Sequence, residues 1–495
     1  MSRKVAVIGS GFAGLSAAAT LAKVGYDVTV YEKNATSGGR AMKFETDGFL
    51  FDMGPSWYWM PEVFEEFYQQ FGTTTSDFYQ LDRLDPSYRV YFGKDDFIDV
   101  PAGVEEFHRL VESLELGGSE KLKIFLKEAE YKYRLSMEKF IRKPALSFLE
   151  FMDPTLIPAI FKLHLFQSIS THIRKRFRNP RLIQILEFPV IFLGAKPSET
   201  PALYSMMNHA DIALGTWYPQ GGMNKVIAAF ETICVREGVK FEYNSSVERI
   251  NVENGIANGI RVNGTDHSAD IVLGTADYHH IDQVLLEEKY QSYSKEYWDT
   301  RKMSPSCLIF YIGLNKKVSN MLHHTLFFDR DMDKHMNEIF DKKRWPTEPL
   351  LYVSCPSKTD ATVAPEGCEN LYVLIPVSVG LVDDQKTRDH YFDLAMKRIE
   401  HVTGQEIKKH VVFKRSYAHS DYQKDHNGFK GNAFGLANTL KQTAIFKPSL
   451  RSNRVKNLFF AGQLTTPGPG VPPCIISGQV AAIEIQRTER SKKGV

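Results

Sequence analysis

Val5-Ala6-Val7-Ile8-Gly9-Ser10-Gly11-Phe12-Ala13-Gly14 opens the chain, and Glu32 closes the next apolar run, Val28-Thr29-Val30-Tyr31. The pattern predicts a strand, a glycine-rich turn, a helix and a second strand ending in a carboxylate. Each glycine serves a different purpose. Gly9 lets the chain turn sharply, Gly11 lets backbone approach a pyrophosphate, and Gly14 lets the helix lie close to the sheet. The helix N-terminus offers unpaired N–H groups and the positive end of a dipole. Glu32 stands where a carboxylate takes both hydroxyls of a ribose. Ser10, Phe12, Ala13 and Lys33 complete the candidate contacts of this dinucleotide seat.

Glu32-Lys33-Asn34 leads through Ser37 to Gly38-Gly39-Arg40. This second glycine pair with its arginine resembles the FAD-binding flavoprotein oxidoreductases that include amine oxidases and carotene desaturases. That resemblance implies a place for Gly39 and Arg40 near the cofactor diphosphate. A solvated surface charge is the alternative for Arg40.

The 495 residues exceed the single-core limit of about 250–300, so more than one substructure is expected. Hydrophobic residues make up 43%, enough for folded cores, and a formal charge of +2 gives no argument for nucleic acid. Five scattered cysteines, with no C-x-x-C pair, argue against a disulfide framework and fit a reducing cytosol. The dinucleotide motif begins almost at Met1, so no secretory leader is expected. No uncharged apolar run reaches the ~18 residues of a spanning helix, so the chain is expected to be soluble or attached to one membrane face.

Phe49 to Ser56 reads as a short strand running into a tight loop, followed by Trp57-Tyr58-Trp59, which either line a cavity or pack between domains. Pro144 to Ile173 reads as a helix apolar on nearly every side, directly before His172-Ile173-Arg174-Lys175-Arg176-Phe177-Arg178. An interfacial membrane anchor has this composition; an internal helix with a solvated charged end is the alternative. Gly215 to Met223 forms a second glycine loop opening a helix. Asn254-Gly255 and Asn263-Gly264 predict hairpin turns, and Ala269 to Ala276 a buried strand. Cys307–Ile312 and Leu371–Ile375 suit a sheet covered on both faces, with Tyr391 to Val402 as a covering helix.

Asn457-Leu458-Phe459-Phe460-Ala461-Gly462-Gln463-Leu464-Thr465-Thr466-Pro467-Gly468-Pro469-Gly470-Val471-Pro472-Pro473 repeats the strand, glycine turn and helix pattern at the far end of the chain. Gly462, Gln463, Gly470 and Val471 are its candidate contacts. A flavin ring gains negative charge at N1/C2=O when reduced, and a helix N-terminus stabilises that charge.

FDMGPSWYWMPEVF, GTWYPQGGM, GNAFGLANTL and NLFFAGQLTTPGPGVPP, with the opening motif, resemble the bacterial-type phytoene desaturases across the whole chain. Within them the chain is most similar to the lycopene-forming branch common in Bacteroidetes. The resemblance implies one noncovalent FAD, backbone hydrogen bonds from Val247 to adenine, and a hydrophobic carotenoid substrate. It further implies oxygen or a membrane quinone as electron acceptor, and peripheral attachment to the inner face of the cell membrane from the cytoplasm. The expected fold is α/β. A Rossmann-like FAD-binding domain with a parallel sheet (1–100, 215–280 and 415–495) joins a discontinuous mixed-sheet substrate domain (281–414) and a mostly helical, membrane-associating region (101–214).

Phytoene dehydrogenated stepwise to lycopene is the reaction this implies. A hydride passes to flavin N5 and a proton leaves the neighbouring carbon. No metal motif and no G-x-S-x-G elbow is present. His209, Asp211, His419 and Asp421 are candidate proton acceptors, each with a structural role as alternative. Action on a hydroxylated or C30 carotenoid, carotene isomerisation and non-redox isoprenoid carriage are the competing functions.

Overall fold

In the computed structural model, residues 2–151, 162–191 and 194–492 are described. Lys4–Ile8, Asp27–Tyr31, Lys240–Glu242, Ile271–Gly274 and Leu458–Phe460 form a five-stranded sheet in which every neighbouring pair is parallel. Strand Lys4–Ile8 lies at its centre, between Asp27–Tyr31 and Ile271–Gly274. Its residues are almost all apolar and buried, as a sheet covered on both faces requires. The predicted hairpins follow as a separate antiparallel sheet, Val247–Glu253, Ile256–Val262 and Thr265–Ser268. Asn254, Gly255, Asn263 and Gly264 all have positive φ, the requirement of two-residue turns that match strand twist.

The second body is a seven-stranded sheet built on Ser306–Leu314 and Glu369–Val377, paired antiparallel from Ser306↔Val377 to Leu314↔Glu369. Its side chains alternate strictly. Leu308, Phe310 and Ile312 pack with Phe392, Met396 and Ile399 of the helix Gln385–Thr403, the predicted cover. Cys307, Ile309 and Tyr311 face the core shared with the nucleotide sheet. Tyr88–Gly93 and Asp96–Val100, grouped by sequence with the nucleotide region, pair instead into this sheet. The pairing is nonlocal: Arg89, Val90 and Tyr91 lie parallel to Thr325, Leu326 and Phe327. Val411–Tyr417 forms the opposite edge, against Ser306–Leu314.

The expectation of one helix from Pro144 to Ile173 needs correction. A 3-10 turn covers Phe148–Phe151, turns occupy the stretch after Lys162, and a short helix runs Ile169–Arg174. Met152, Leu156, Ile157, Ile160 and Phe161 lie outside the described residues. Ile169 and Ile173 are fully buried, so this end is internal. The basic cluster is partly neutralised within the fold. Arg174 pairs with Glu187 and Arg176 with Glu128, while Lys175 and Arg178 are exposed.

Candidate functional site

The opening turn and the closing turn meet. The opening helix Phe12–Lys23 and the closing helix Val471–Lys492 touch through their early turns, with Ser16 Oγ donating to Ile475 O at 2.8 Å. Small residues permit this approach: a Cβ on Gly478 would lie 2.3 Å from Ala13 O, and one on Gly462 3.8 Å from Ala13 Cβ. Gly9 has φ +102°, and a Cβ on Gly14 would lie 2.1 Å from Gly9 O. Gly11 precedes the opening helix with no side-chain cap, so the first-turn N–H groups of Phe12, Ala13 and Gly14 are left for an anion.

Gly38 and Gly39 fold back onto this turn. Gly38 N donates to Ser10 O at 3.0 Å, and a Cβ on Gly39 would sit 3.3 Å from Gly11 Cα. Arg40 is thereby carried between the two ends of the chain. Its Nη2 makes long contacts, 3.3 Å to Asn432 O, 3.5 Å to Asn432 Oδ1 and 3.8 Å to Asp277 Oδ2. Its Nε is buried with no hydrogen-bond partner among the described residues. An underused guanidinium beside a bare backbone cradle fits a diphosphate, which can accept from both. Asn432 ties the pieces together, accepting from Gln463 Nε2 at 2.9 Å and donating to Asp277 Oδ2 at 3.1 Å. Gly470 and Val471 stand at the start of the closing helix; Gly470 has φ +112°.

Glu32 is 4% exposed. Its Oε2 accepts from Ser10 N at 2.9 Å and Ser10 Oγ at 2.8 Å; its Oε1 accepts from Asn34 N at 2.9 Å and Asn34 Nδ2 at 3.0 Å. A carboxylate offers about four lone-pair sites, so a ribose hydroxyl must share an oxygen with the rotatable Ser10 hydroxyl or the Asn34 amide. Lys33 turns away, its Nζ donating to Lys424 O and Asn427 Oδ1. Val247 follows a segment fixed to the Glu32 loop by Ser245 N donating to Glu32 O at 2.8 Å. Removing the carboxylate should be felt directly. Glu32→Ala deletes up to two charge-assisted bonds to FAD, each worth about 1.5–3 kcal/mol. FAD titration of the apoprotein is expected to show at least tenfold weaker binding, and unchanged affinity would exclude Glu32 as ribose partner.

Beyond Arg40 the chain runs directly into a packed aromatic cluster. A Cβ on Gly54 would lie 2.1 Å from Arg40 O, and Trp57 follows. Trp57 stacks on His324 at 4.0 Å and 11°, and meets Tyr88 and Phe188 at 5.5 Å. Tyr58 and Trp59 are buried, so all three aromatics pack between the bodies. Burial pushes the His323 imidazole down to about 3, and burial with its His323 neighbour lowers His324 well below its ordinary range.

Asp211 is buried against this cluster, on the π-helical turn His209–Leu214. Tyr88 OH donates to its Oδ2 at 2.8 Å and Thr216 Oγ1 to its Oδ1 at 3.4 Å; Trp59 Nε1 donates to Thr216 Oγ1 at 2.8 Å. Burial pushes the Asp211 carboxyl up to about 7 against the opposing pull of those two hydroxyls.

The other sequence candidates are engaged elsewhere. His209 packs on Tyr133 at 5.2 Å. His419 Nε2 donates to Ser378 O at 2.6 Å. Asp421 accepts from Ala418 N and pairs with Arg388 at 2.7 Å. Sequence reasoning assigned no role to Asn34 or Thr216, whose partners Glu32 and Asp211 are near in the chain, nor to Tyr88 or Asp277, whose partners are distant. It also missed Asp52, which binds the start of helix Met223–Arg236 through Met223 N at 2.6 Å and Asn224 N at 3.0 Å. Asp52 in the FDMGP motif opposite QGGM was the available signal.

Residues 12–486 match the family model described as flavin containing amine oxidoreductase. The chain is 40% identical over 479 residues to a carotenoid 3,4-desaturase of Haloarcula japonica, covering 97% of each. It is 32% identical over 486 residues to a zeta-carotene-forming phytoene desaturase of Myxococcus xanthus, covering 97% of this chain and 93% of that one. The crystal structure of an oxidoreductase from Methanosarcina mazei shares the fold, with TM-score 0.64 at 19% identity over 97% of this chain and all of that one. Motif, cradle and relatives agree: the chain belongs to the flavin-containing amine oxidoreductase family, among its carotenoid desaturases, and its cofactor is FAD.

Proposed function

We propose that the protein dehydrogenates a C40 carotenoid, with Asp211 as the proton acceptor. The observation that carries this reading is the buried carboxyl, pushed up to about 7, held by Tyr88 and Thr216, with Tyr88 in turn packed on Trp57. Held by the opening turn, Arg40 and the closing turn, FAD would supply a hydride acceptor. Burial among aromatic side chains would keep water from the reacting carbons, and the charge of the allylic cation is spread along the polyene. Asp211 Oδ then takes the proton from the adjacent carbon, and the C=C bond forms from that C–H pair. Tyr88 and Thr216 hold the carboxylate oriented. Hydride and proton together account for the two hydrogens removed. Oxygen or a quinone would take the electrons from the reduced cofactor, which anaerobic stopped-flow with each acceptor tests.

Two substrates are consistent with this chemistry. Phytoene carried stepwise to lycopene is the reading of the motifs. Desaturation at the 3,4 bond of an already conjugated carotenoid is favoured by the higher identity to the Haloarcula relative, 40% against 32%. Expression in parallel hosts accumulating phytoene or lycopene, followed by pigment chromatography, separates them. Lycopene formed in the first host supports the former, and a longer chromophore in the second supports the latter. Consumption of neither removes the desaturase reading.

Delivery of so apolar a substrate fits contact with the inner face of a membrane. Leu149 and Phe166, 76% and 89% exposed, lie within the Pro144–Ile173 stretch, and no helix among the described residues is long and apolar enough to cross a bilayer. Fractionation of the same cells tests this: Leu149→Glu with Phe166→Glu is expected to move the protein out of the membrane pellet, and an unchanged distribution counts against this surface.

A further inference from the structure

Lys447 is a charged group that the reaction described above does not use. It is 4% exposed, and its Nζ donates to Asn438 Oδ1 at 3.0 Å. An ammonium has three donors and a full charge, and no carboxylate lies within ion-pair distance of this one among the described residues. Burial alone pulls it down to about 8, with no neighbouring charge opposing the shift.

Its position is informative. A Cβ on Gly468 would lie 3.2 Å from Lys447 Nζ and 3.4 Å from Asn438 Oδ1. Gly468 belongs to the turn joining strand Leu458–Phe460 to the closing helix. That turn enters beside Ala13, at Gly462, and ends at the positive pole of a 22-residue helix. Two sources of positive charge therefore converge on one glycine-rich turn without a protein anion. Phe446-Lys447-Pro448 sits in no charged run, so nothing in its local sequence marks it.

FAD carries negative charge in two places. The diphosphate is suited to Arg40 and the opening helix. The other is the N1/C2=O edge of the ring, which becomes anionic only after hydride arrives. We propose that the Lys447 ammonium is the counter-ion of that reduced ring edge, held there by Asn438 and the Gly468 turn. Two electrons and the hydride's proton enter the ring, the resulting charge settles at N1/C2=O, and no proton leaves Lys447. The oxidised, neutral ring gains much less from the same cation, so Lys447 favours the reduced state and raises the cofactor's potential.

Sulfite tests this on the holoenzyme without any carotenoid. It adds through sulfur to flavin N5 and displaces an electron pair onto N1/C2=O. Lys447→Met is expected to weaken sulfite binding, read by bleaching of the flavin band, by at least about tenfold. It is also expected to weaken reduced FAD about tenfold more than oxidised FAD, which lowers the two-electron potential by about 30 mV. Lys447→Arg is expected to restore both, and Lys447→Gln to behave as Met. Neutral variants that keep wild-type sulfite affinity overturn the proposal. So does equal weakening of oxidised and reduced FAD, the behaviour of a diphosphate ligand. Failure of both neutral variants to hold FAD in either state overturns it too, since Lys447 then serves the fold alone.

Discussion

Asp211→Asn is expected to lose about 10²–10⁴-fold in carotenoid turnover while becoming more stable at pH 8. The two effects share one cause. Tyr88 OH can donate to an amide oxygen as it does to the carboxylate, so the geometry survives. The proton acceptor does not. The stability gain follows from linkage. The Asp211 carboxyl titrates near 7 in the folded chain and near ~3.9 when unfolded. Between those values the folded state holds a proton that the unfolded state has released, so stability falls as pH rises from about 4 to about 7 and stays low above it. About three units correspond to about 4 kcal/mol, from which burying an unpaired amide N–H subtracts about 1–3 kcal/mol. Thermal melts should therefore show the variant ahead at pH 8 by about 1–3 kcal/mol and level with or behind the parent at pH 4. The wild-type rate should rise through about pH 7 and the residual rate of the variant should not. Full turnover in the variant would return Asp211 to a structural role.

Local chemistry explains what the sequence made legible. The turn at Gly9–Gly14, the Asn-Gly hairpins and the alternation of Cys307–Ile312 each depend on residues within a few positions, and each element stands where it was expected. Pairings between distant segments escaped. Tyr88–Val100 carries no mark of the sheet it joins, because its partner Thr325–Phe327 lies far along the chain. An apolar stretch such as Pro144–Ile173 reports burial or lipid contact equally, and composition cannot show that turns interrupt it. The site divides the same way. The glycines and Glu32 have fixed spacing, whereas Asp211 is one candidate among four in the sequence, and only folding brings Tyr88 to its carboxylate. Lys447 takes its meaning from Gly468, a neighbour that only folding supplies.

Gly478→Val is expected to yield colourless protein. Gly478 lies in the closing helix, away from every motif glycine, and its backbone is ordinary helix, so conformational strain plays no part. Its effect is purely steric. A Cβ there would stand 2.3 Å from Ala13 O and 3.0 Å from Ala17 N, and both are backbone atoms of the opening helix, which cannot rotate away. The helices must separate by more than an ångström. Ser16 then loses its bond to Ile475 O, and Gly462 withdraws from Ala13. The diphosphate cradle and the ring-facing turn would no longer hold one molecule between them. Overpacking of this kind costs about 1–3 kcal/mol in stability, occasionally more, so much of the fold should persist. Binding needs both turns at fixed spacing, so FAD affinity should fall by more than a hundredfold. Gly93→Ala is the control: its nearest atom, Asp96 Cβ, is 3.8 Å away, and this variant should stay yellow. Flavin content by absorbance, read beside far-UV circular dichroism, decides the matter. A folded Gly478→Val protein carrying a full complement of FAD would show that the two ends of the chain bind the cofactor independently.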